Sequence, residues 1–254
     1  MKKLLVFFVT CLLCFSCKQE EVENMQDDPN LCIDCGGLVL AWDYPVKPGM
    51  KQWEKFKTNK EMVKACQIPN NVLSSLSTDD LTEICLRYPL INDIFAFNQL
   101  IDGLDKLFDD FNGIRELFKK EDVEYELLKR YQAKIHNLSL LDGAYSEIGK
   151  GYFIISISVL EALLSRCHSQ DVQSKNIILQ SLVAGYEGKI EYQDYFKGLG
   201  FNTNFFARAH TIVKISQQYL DEFTMGEMNP VFSNGWFDEE TMDLVNKLSY
   251  QLIK

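Results

Sequence analysis

Residues 152–167 (YFIISISVLEALLSRC) limit what this chain can become more than any other stretch. Two side chains in it are charged, Glu161 and Arg166. The β-branched start would suit a strand. The length and the Leu160-Glu161-Ala162-Leu163-Leu164 ending favour a helix, and one so apolar has to be buried. Glu161 is then the one acid expected to be poorly solvated. Arg166, five residues on, lies about 140° round such a helix and is a poor partner for it.

Helical periodicity runs through the neighbouring sequence. Thr58-Asn59-Lys60-Glu61 is a capping-box pattern that opens a helix through Met62, Val63 and Cys66, and Ile68-Pro69 stops it. Pro69 suits the first position of a short helix over 70–76. Ser77 to Asp80 caps the next, with Leu81, Ile84, Cys85 and Tyr88 on one face. Pro89 breaks it, and a further helix is expected over 90–101. Leu100, Leu104, Leu107, Phe108 and Phe111 continue the stripe as far as Asn112-Gly113, which kinks or ends it. Further helices are predicted at 121–135, 172–186, 189–196, 203–219 and 238–253, with a loop or frayed end over 137–150.

No run of alternating strands occurs. The chain is therefore predicted to be all-α, an irregular multihelical array or α–α superhelix of short antiparallel helices. A short extended segment over 31–48, with Cys32, Cys35 and Gly36-Gly37, precedes it. No fixed-period repeat supports a regular solenoid.

The N-terminus reads as an address. Met1-Lys2-Lys3 is basic and residues 4–15 are apolar, too short a run to cross a bilayer, which takes about 20 residues. Ser16-Cys17 then meets an abrupt polar shift. A small residue directly before a Cys at the end of such a run resembles the bacterial lipoprotein signal, in which the Cys becomes residue one and carries the lipid, palmitate included. Cys17 is the best candidate; Cys14 would put bulky Leu13 at the cleavage position, and Cys11 would leave an apolar run of about seven residues, at the short limit. Cys14 and Phe15 depart from that family's usual residues. Lys18-Gln19-Glu20-Glu21 resembles the surface-export signal of Bacteroidetes lipoproteins. The organisation expected is a signal peptide at 1–16, lipidated Cys17 with a disordered tether to residue 30, and one all-α domain at 31–254.

Charge sharpens that expectation. The full chain has 26 Lys+Arg against 36 Asp+Glu, a net charge of −10. Removing residues 1–16 takes two Lys and no acid, leaving 24 against 36, or −12. Nucleic-acid binding needs clustered cations and is excluded as a partner class. Anionic lipid would repel this surface, so the membrane is reached through the N-terminal lipid alone. At 46% hydrophobic and 24% charged, the 254 residues suffice for a packed core and are not a low-complexity chain.

Little in the sequence looks like chemistry. Cys32-Ile33-Asp34-Cys35 supplies two thiolates where tetrahedral zinc takes four ligands, and no second such pair follows. A local disulfide or two spare thiols is the simpler reading. Cys66 and Cys85 fall on neighbouring apolar faces, where a disulfide outside the cytoplasm and two packed core thiols both fit. Cys167 has no obvious partner. His136, His168 and His210 form no H-E-x-x-H, and a dyad of Cys167 with His210 or His136 is the residual nucleophile reading. Asp102, Asp105, Asp109 and Asp110 lie opposite the Leu/Phe stripe as a solvated face. Early and late aromatics (Trp42, Tyr44, Trp53, Phe56, Tyr192, Tyr195, Phe196, Trp236, Phe237) would fill core or form a sugar or peptide platform. No catalytic, cofactor-binding or metal set is assigned, and no cofactor is expected.

Finally, Tyr44 to Gly49, Trp53, Cys66-Gln67-Ile68-Pro69, residues 76–89 (LSTDDLTEICLRYP), Phe95-Ala96-Phe97-Asn98 and residues 111–117 (FNGIREL) resemble a set of Bacteroidales lipoproteins of unknown function. The resemblance covers about residues 40–130 well and the rest loosely. It implies a secreted helical body at the outer membrane and carries over no functional residue. The expected role is a lipid-anchored envelope protein that binds a glycan, a peptide or another envelope protein. The alternative is an envelope hydrolase using a carboxylate or a Cys/His pair.

Overall fold

The computed structural model describes residues 41–168, 171–219 and 239–253. Cys17, Cys32, Cys35, Trp236, Phe237 and most of the expected N-terminal extended segment lie outside them. The described residues are all-α, with helices in an irregular multihelical arrangement and no strand. Residues 41–48 form bends and turns.

Helix α1 (Asn59–Ala65) starts as its capping box dictates: Thr58 accepts from the Glu61 N–H, and Glu61 reaches back to the N–H of Lys57 at 2.6 Å. Pro69 caps the single-turn α2 (Asn70–Leu73) from outside rather than opening it. Ser77 caps α3 (Thr78–Leu86) through the Asp80 N–H.

The expected helix over 90–101 is not one helix. Residues Ile91–Ala96 make a 3₁₀ turn, and α4 (Leu100–Asp110) begins after it. The reason lies in Gly103, where a Cβ would meet the Ile94 carbonyl oxygen at 2.1 Å. The turn folds back so closely on α4 that one straight helix is impossible.

Helix α4 ends at Asp110, just before Asn112-Gly113 as expected, and Asn112 itself opens α5 (Asn112–Leu117). Its side chain accepts from the Ile68 N–H at 3.0 Å and donates to the Ile68 carbonyl at 2.7 Å, pairing with an extended backbone as a strand would. Tyr88 and Phe111 stack beside this clasp, 4.0 Å between centroids. The buried Tyr44 hydroxyl donates to the Ile84 carbonyl at 2.9 Å, fixing the entering chain to the end of α3.

The second half is built from long helices: α6 (Val123–His136), α7 (Glu147–Leu164), α8 (Val172–Glu191), the one-turn α9 (Gln193–Phe196), α10 (Leu199–Ile215) and α11 (Glu239–Leu252). The most apolar stretch is helix α7, and it starts earlier than residue 152 because Ser146 caps it through the Gly149 N–H. The break expected near residue 187 is absent, since α8 runs through Gly185 and Gly188 without interruption. Helix α10 packs on both α7 and α8, α6 packs on the same pair, and α11 covers α10. Phe153, Ile157, Leu160, Leu163 and Leu164 of α7 are all buried, each worth about 1.5–3 kcal/mol.

Candidate functional site

One polar cluster sits inside this four-helix core, and Glu161 is at its centre. The same inward face of α7 carries Ile157, Leu160 and Leu164, so the helical repeat leaves Glu161 no route to water; it is 0% exposed. Lys189 of α8, also 0% exposed, meets it with Nζ 2.6 Å from Oε1 and 2.7 Å from Oε2. The third ammonium proton goes to the Gly200 carbonyl at 2.6 Å.

Three further donors converge on the carboxylate. The Tyr131 hydroxyl of α6 donates to Oε1 at 2.9 Å, Thr203 Oγ1 of α10 to Oε2 at 2.7 Å, and Asn204 Nδ2 to Oε1 at 2.9 Å. Asn204 Nδ2 also reaches the Leu182 carbonyl at 2.9 Å. Burying a lone carboxylate would be prohibitive, and this set of donors makes it tolerable. Burial pulls the Lys189 pKa down, and the adjacent carboxylate opposes that. Burial and then the Glu161 charge push Tyr131 well above the ordinary phenol value, so it stays a donor.

Arg208 lies one turn along α10 from Asn204 and is likewise 0% exposed. Its Nε donates to Ser249 Oγ at 3.0 Å and its Nη1 to Asn246 Oδ1 at 2.9 Å, tying α10 to α11. The guanidinium lies 5.0 Å from the Tyr186 ring centre and 5.5 Å from that of Phe205. Burial lowers its pKa to about 10, so it remains a cation. Among the described residues no carboxylate pairs with it.

At the C-terminal end of α7, Lys214 Nζ donates to the carbonyls of Ser165 and Cys167, the latter at 2.7 Å. A cation there complements the negative end of the helix dipole. Burial, the largest cause, lowers its pKa to about 8. His210 packs on Phe206 with ring centres 4.3 Å apart, and burial first, then the Lys214 and Arg166 charges, lowers its pKa to about 3.

The residues singled out in the sequence separate widely. Glu161 is as poorly solvated as expected. Arg166 does pair elsewhere, with Asp105. Lys106 bridges Asp110 at 2.6 Å, while Asp102 and Asp109 face solvent. Cys66 and Cys85 are free buried thiols, not the disulfide that was one of their two readings. Burial raises the Cys66 pKa to about 11 and raises that of Cys85 well above the ordinary thiol value. The Cys167 thiol points at the Leu163 carbonyl, 3.8 Å away, and is also pushed up by burial. These are protonated thiols, which are poor nucleophiles. His136 and His168 are exposed.

Sequence reasoning missed Lys189, Tyr131, Thr203 and Asn204. A signal existed for Lys189, which follows Leu182 by seven residues and shares its inward face. Placing a helix break just before it concealed that phase.

Among the described residues, no three His, Cys, Asp or Glu side chains converge to hold a metal ion. Among them no helix is long and apolar enough to cross a membrane. No family model matches this chain, and no curated protein or solved structure does either.

Proposed function

We propose that this is a lipid-anchored cell-envelope protein that acts by binding a glycan, a peptide or another envelope protein. The observation that carries the reading is the internal use of Glu161. A carboxylate already engaged by Lys189, Tyr131, Thr203 and Asn204, with no exposed surface, cannot reach a substrate. The thiols the hydrolase alternative would need are buried and protonated. What the body offers instead is surface: Ile148 and Tyr152, one turn apart on α7, are 63% and 41% exposed, and Tyr125 on α6 is 64% exposed. The basic and apolar leader ending in Ser16-Cys17 supports the anchor, and a net charge of −12 without that leader leaves the lipid as the means of attachment.

Metabolic labelling with palmitate, followed by envelope fractionation, tests the anchor. Label and membrane association should be present in the native chain and lost in Cys17→Ala; label that survives the substitution overturns it. A photo-crosslinking residue at Tyr152 tests binding in intact cells. Discrete adducts are expected there, and none from the same residue placed at exposed His136. Equal adducts from both positions, or none, would count against a binding surface.

A further inference from the structure

We propose that Asn112-Gly113 is a self-modification site, at which the side-chain amide is lost by ring closure onto the next backbone nitrogen. The latch between α5 and Gln67-Ile68 sets when this happens, and the acid formed at 112 releases the latch and uncovers Cys66.

The reacting groups are neighbours through the chain itself. The electrophile is the carboxamide carbon of Asn112, and the nucleophile is the backbone nitrogen of Gly113. A glycine in second place offers that attack no side-chain hindrance.

Packing demands both residues. A Cβ at 113 would lie 2.4 Å from Phe111 Cζ and 2.8 Å from Ile68 Cδ1, so glycine is the residue that fits. At 112 one side chain must accept and donate at once. Asn112 Oδ1 accepts from the Ile68 N–H at 3.0 Å, and Nδ2 donates to the Ile68 carbonyl at 2.7 Å. An aspartate has no donor for the second bond. A labile dipeptide is thus built into the fold.

The same bonds hold the reaction back, because they keep the carboxamide on the Ile68 backbone and away from the Gly113 nitrogen. Gln67 closes the latch from the other side. Its Nε2 donates to the Asp110 carbonyl at 3.0 Å, and its Oε1 accepts from the Asn112 N–H at 3.2 Å. Gly113 is buried in the first turn of α5, so ring closure waits for a local opening.

During an opening, a solvent base takes the Gly113 amide proton and the nitrogen attacks Asn112 Cγ. The Cγ–Nδ2 bond breaks, ammonia leaves, and a cyclic imide remains. Water then adds to one imide carbonyl. Cleavage at Cγ leaves aspartate, and cleavage at the main-chain carbonyl leaves isoaspartate; nothing is oxidised or reduced. Neither product can close the latch again. A carboxylate oxygen in place of Nδ2 would face the Ile68 carbonyl oxygen, two acceptors with no proton between them. Isoaspartate also lengthens the main chain beside a glycine that has no spare room. Cys66, buried and adjacent to Gln67, then loses its cover.

Ageing the full chain in mildly alkaline buffer, followed by trypsin and mass spectrometry, tests this. Residues 107–115 (LFDDFNGIR) form a tryptic peptide with Asn112 as its one amide side chain, and Asn234-Gly235 lies in another peptide. The folded chain should gain an acid at 112 about tenfold or more slowly than the denatured chain. Gln67→Ala should close most of that gap without touching the reacting pair. Reaction of Cys66 with a thiol reagent should rise in step with the converted fraction. Equal rates in folded and denatured chains overturn the proposal, as does a folded rate that Gln67→Ala leaves unchanged. So does a folded chain with no acid at 112 after prolonged ageing, or conversion that leaves Cys66 silent. Should Gln67→Ala fail to fold, the rates and the Cys66 readout on the native chain still decide.

Discussion

A methyl group placed on Gly185 of α8 would sit 1.9 Å from the hydroxyl oxygen of Tyr131 on α6. The missing side chain is what lets the phenol pass α8 and reach Glu161. Gly185→Ala should therefore lower stability by about 2–3 kcal/mol in chemical denaturation, through overpacking and the loss of that hydrogen bond. Adding Tyr131→Phe should cost less in the alanine background than in the native one. Strictly additive losses would show that the two residues do not compete for the same space.

Removing one charge from the central pair should be worse than removing both. Glu161→Gln leaves a buried cation without a counter-charge and is expected to cost about 3–5 kcal/mol. Glu161→Leu combined with Lys189→Met should recover most of that loss. A single variant within about 1 kcal/mol of the native protein would contradict it.

His210 sets an acid limit. Its folded pKa is lowered to about 3 from the ordinary imidazole value of 6.5, by burial first and then by the Lys214 and Arg166 charges. Between those values the unfolded chain binds a proton that the folded one does not. Stability is therefore full above about 6.5 and falls as the pH drops towards 3, by a few kcal/mol at roughly 1.4 kcal/mol per unit. Thermal melts of the native protein and His210→Phe should converge as the pH is lowered. Parallel curves from pH 7 to pH 4 would assign the acid sensitivity to other groups.

The thiols of Cys66, Cys85 and Cys167 are buried and protonated, so an aromatic disulfide reagent should modify them only as fast as the protein opens. In the native state all three should be silent, and in denaturant all three should react. Rapid modification of any of them in the folded protein would show an opening that the static packing does not predict.

The fold was legible in the sequence where local chemistry decides local structure. Thr58, Ser77 and the apolar run behind Tyr152 each announce a helix through caps or periodicity, and each helix is present. What failed were the places where distant residues overrule local ones. The folded-back turn at Ile91–Ala96 depends on Gly103 meeting a backbone nine residues away, which no local pattern encodes. The glycines of α8 read as a break because glycine disfavours helices, yet Gly185 is there to admit Tyr131. Glu161 could be singled out because an acid in an apolar run is anomalous by itself. Its partners could not, since Tyr131, Thr203 and Asn204 are ordinary residues whose meaning comes only from being brought together.

The cluster around Glu161 also sets an order of events in time. Its donors come from positions 131, 189, 203 and 204, and the Gly200 carbonyl completes the ammonium's set. A growing or threading chain that has emerged only as far as α9 holds the acid and the lysine but lacks three of their partners. Such an intermediate is penalised for closing its core early. The last third of the molecule thus acts as a licence for the middle third to fold, because the buried charges of the middle third are satisfied only when Gly200, Thr203 and Asn204 are in place.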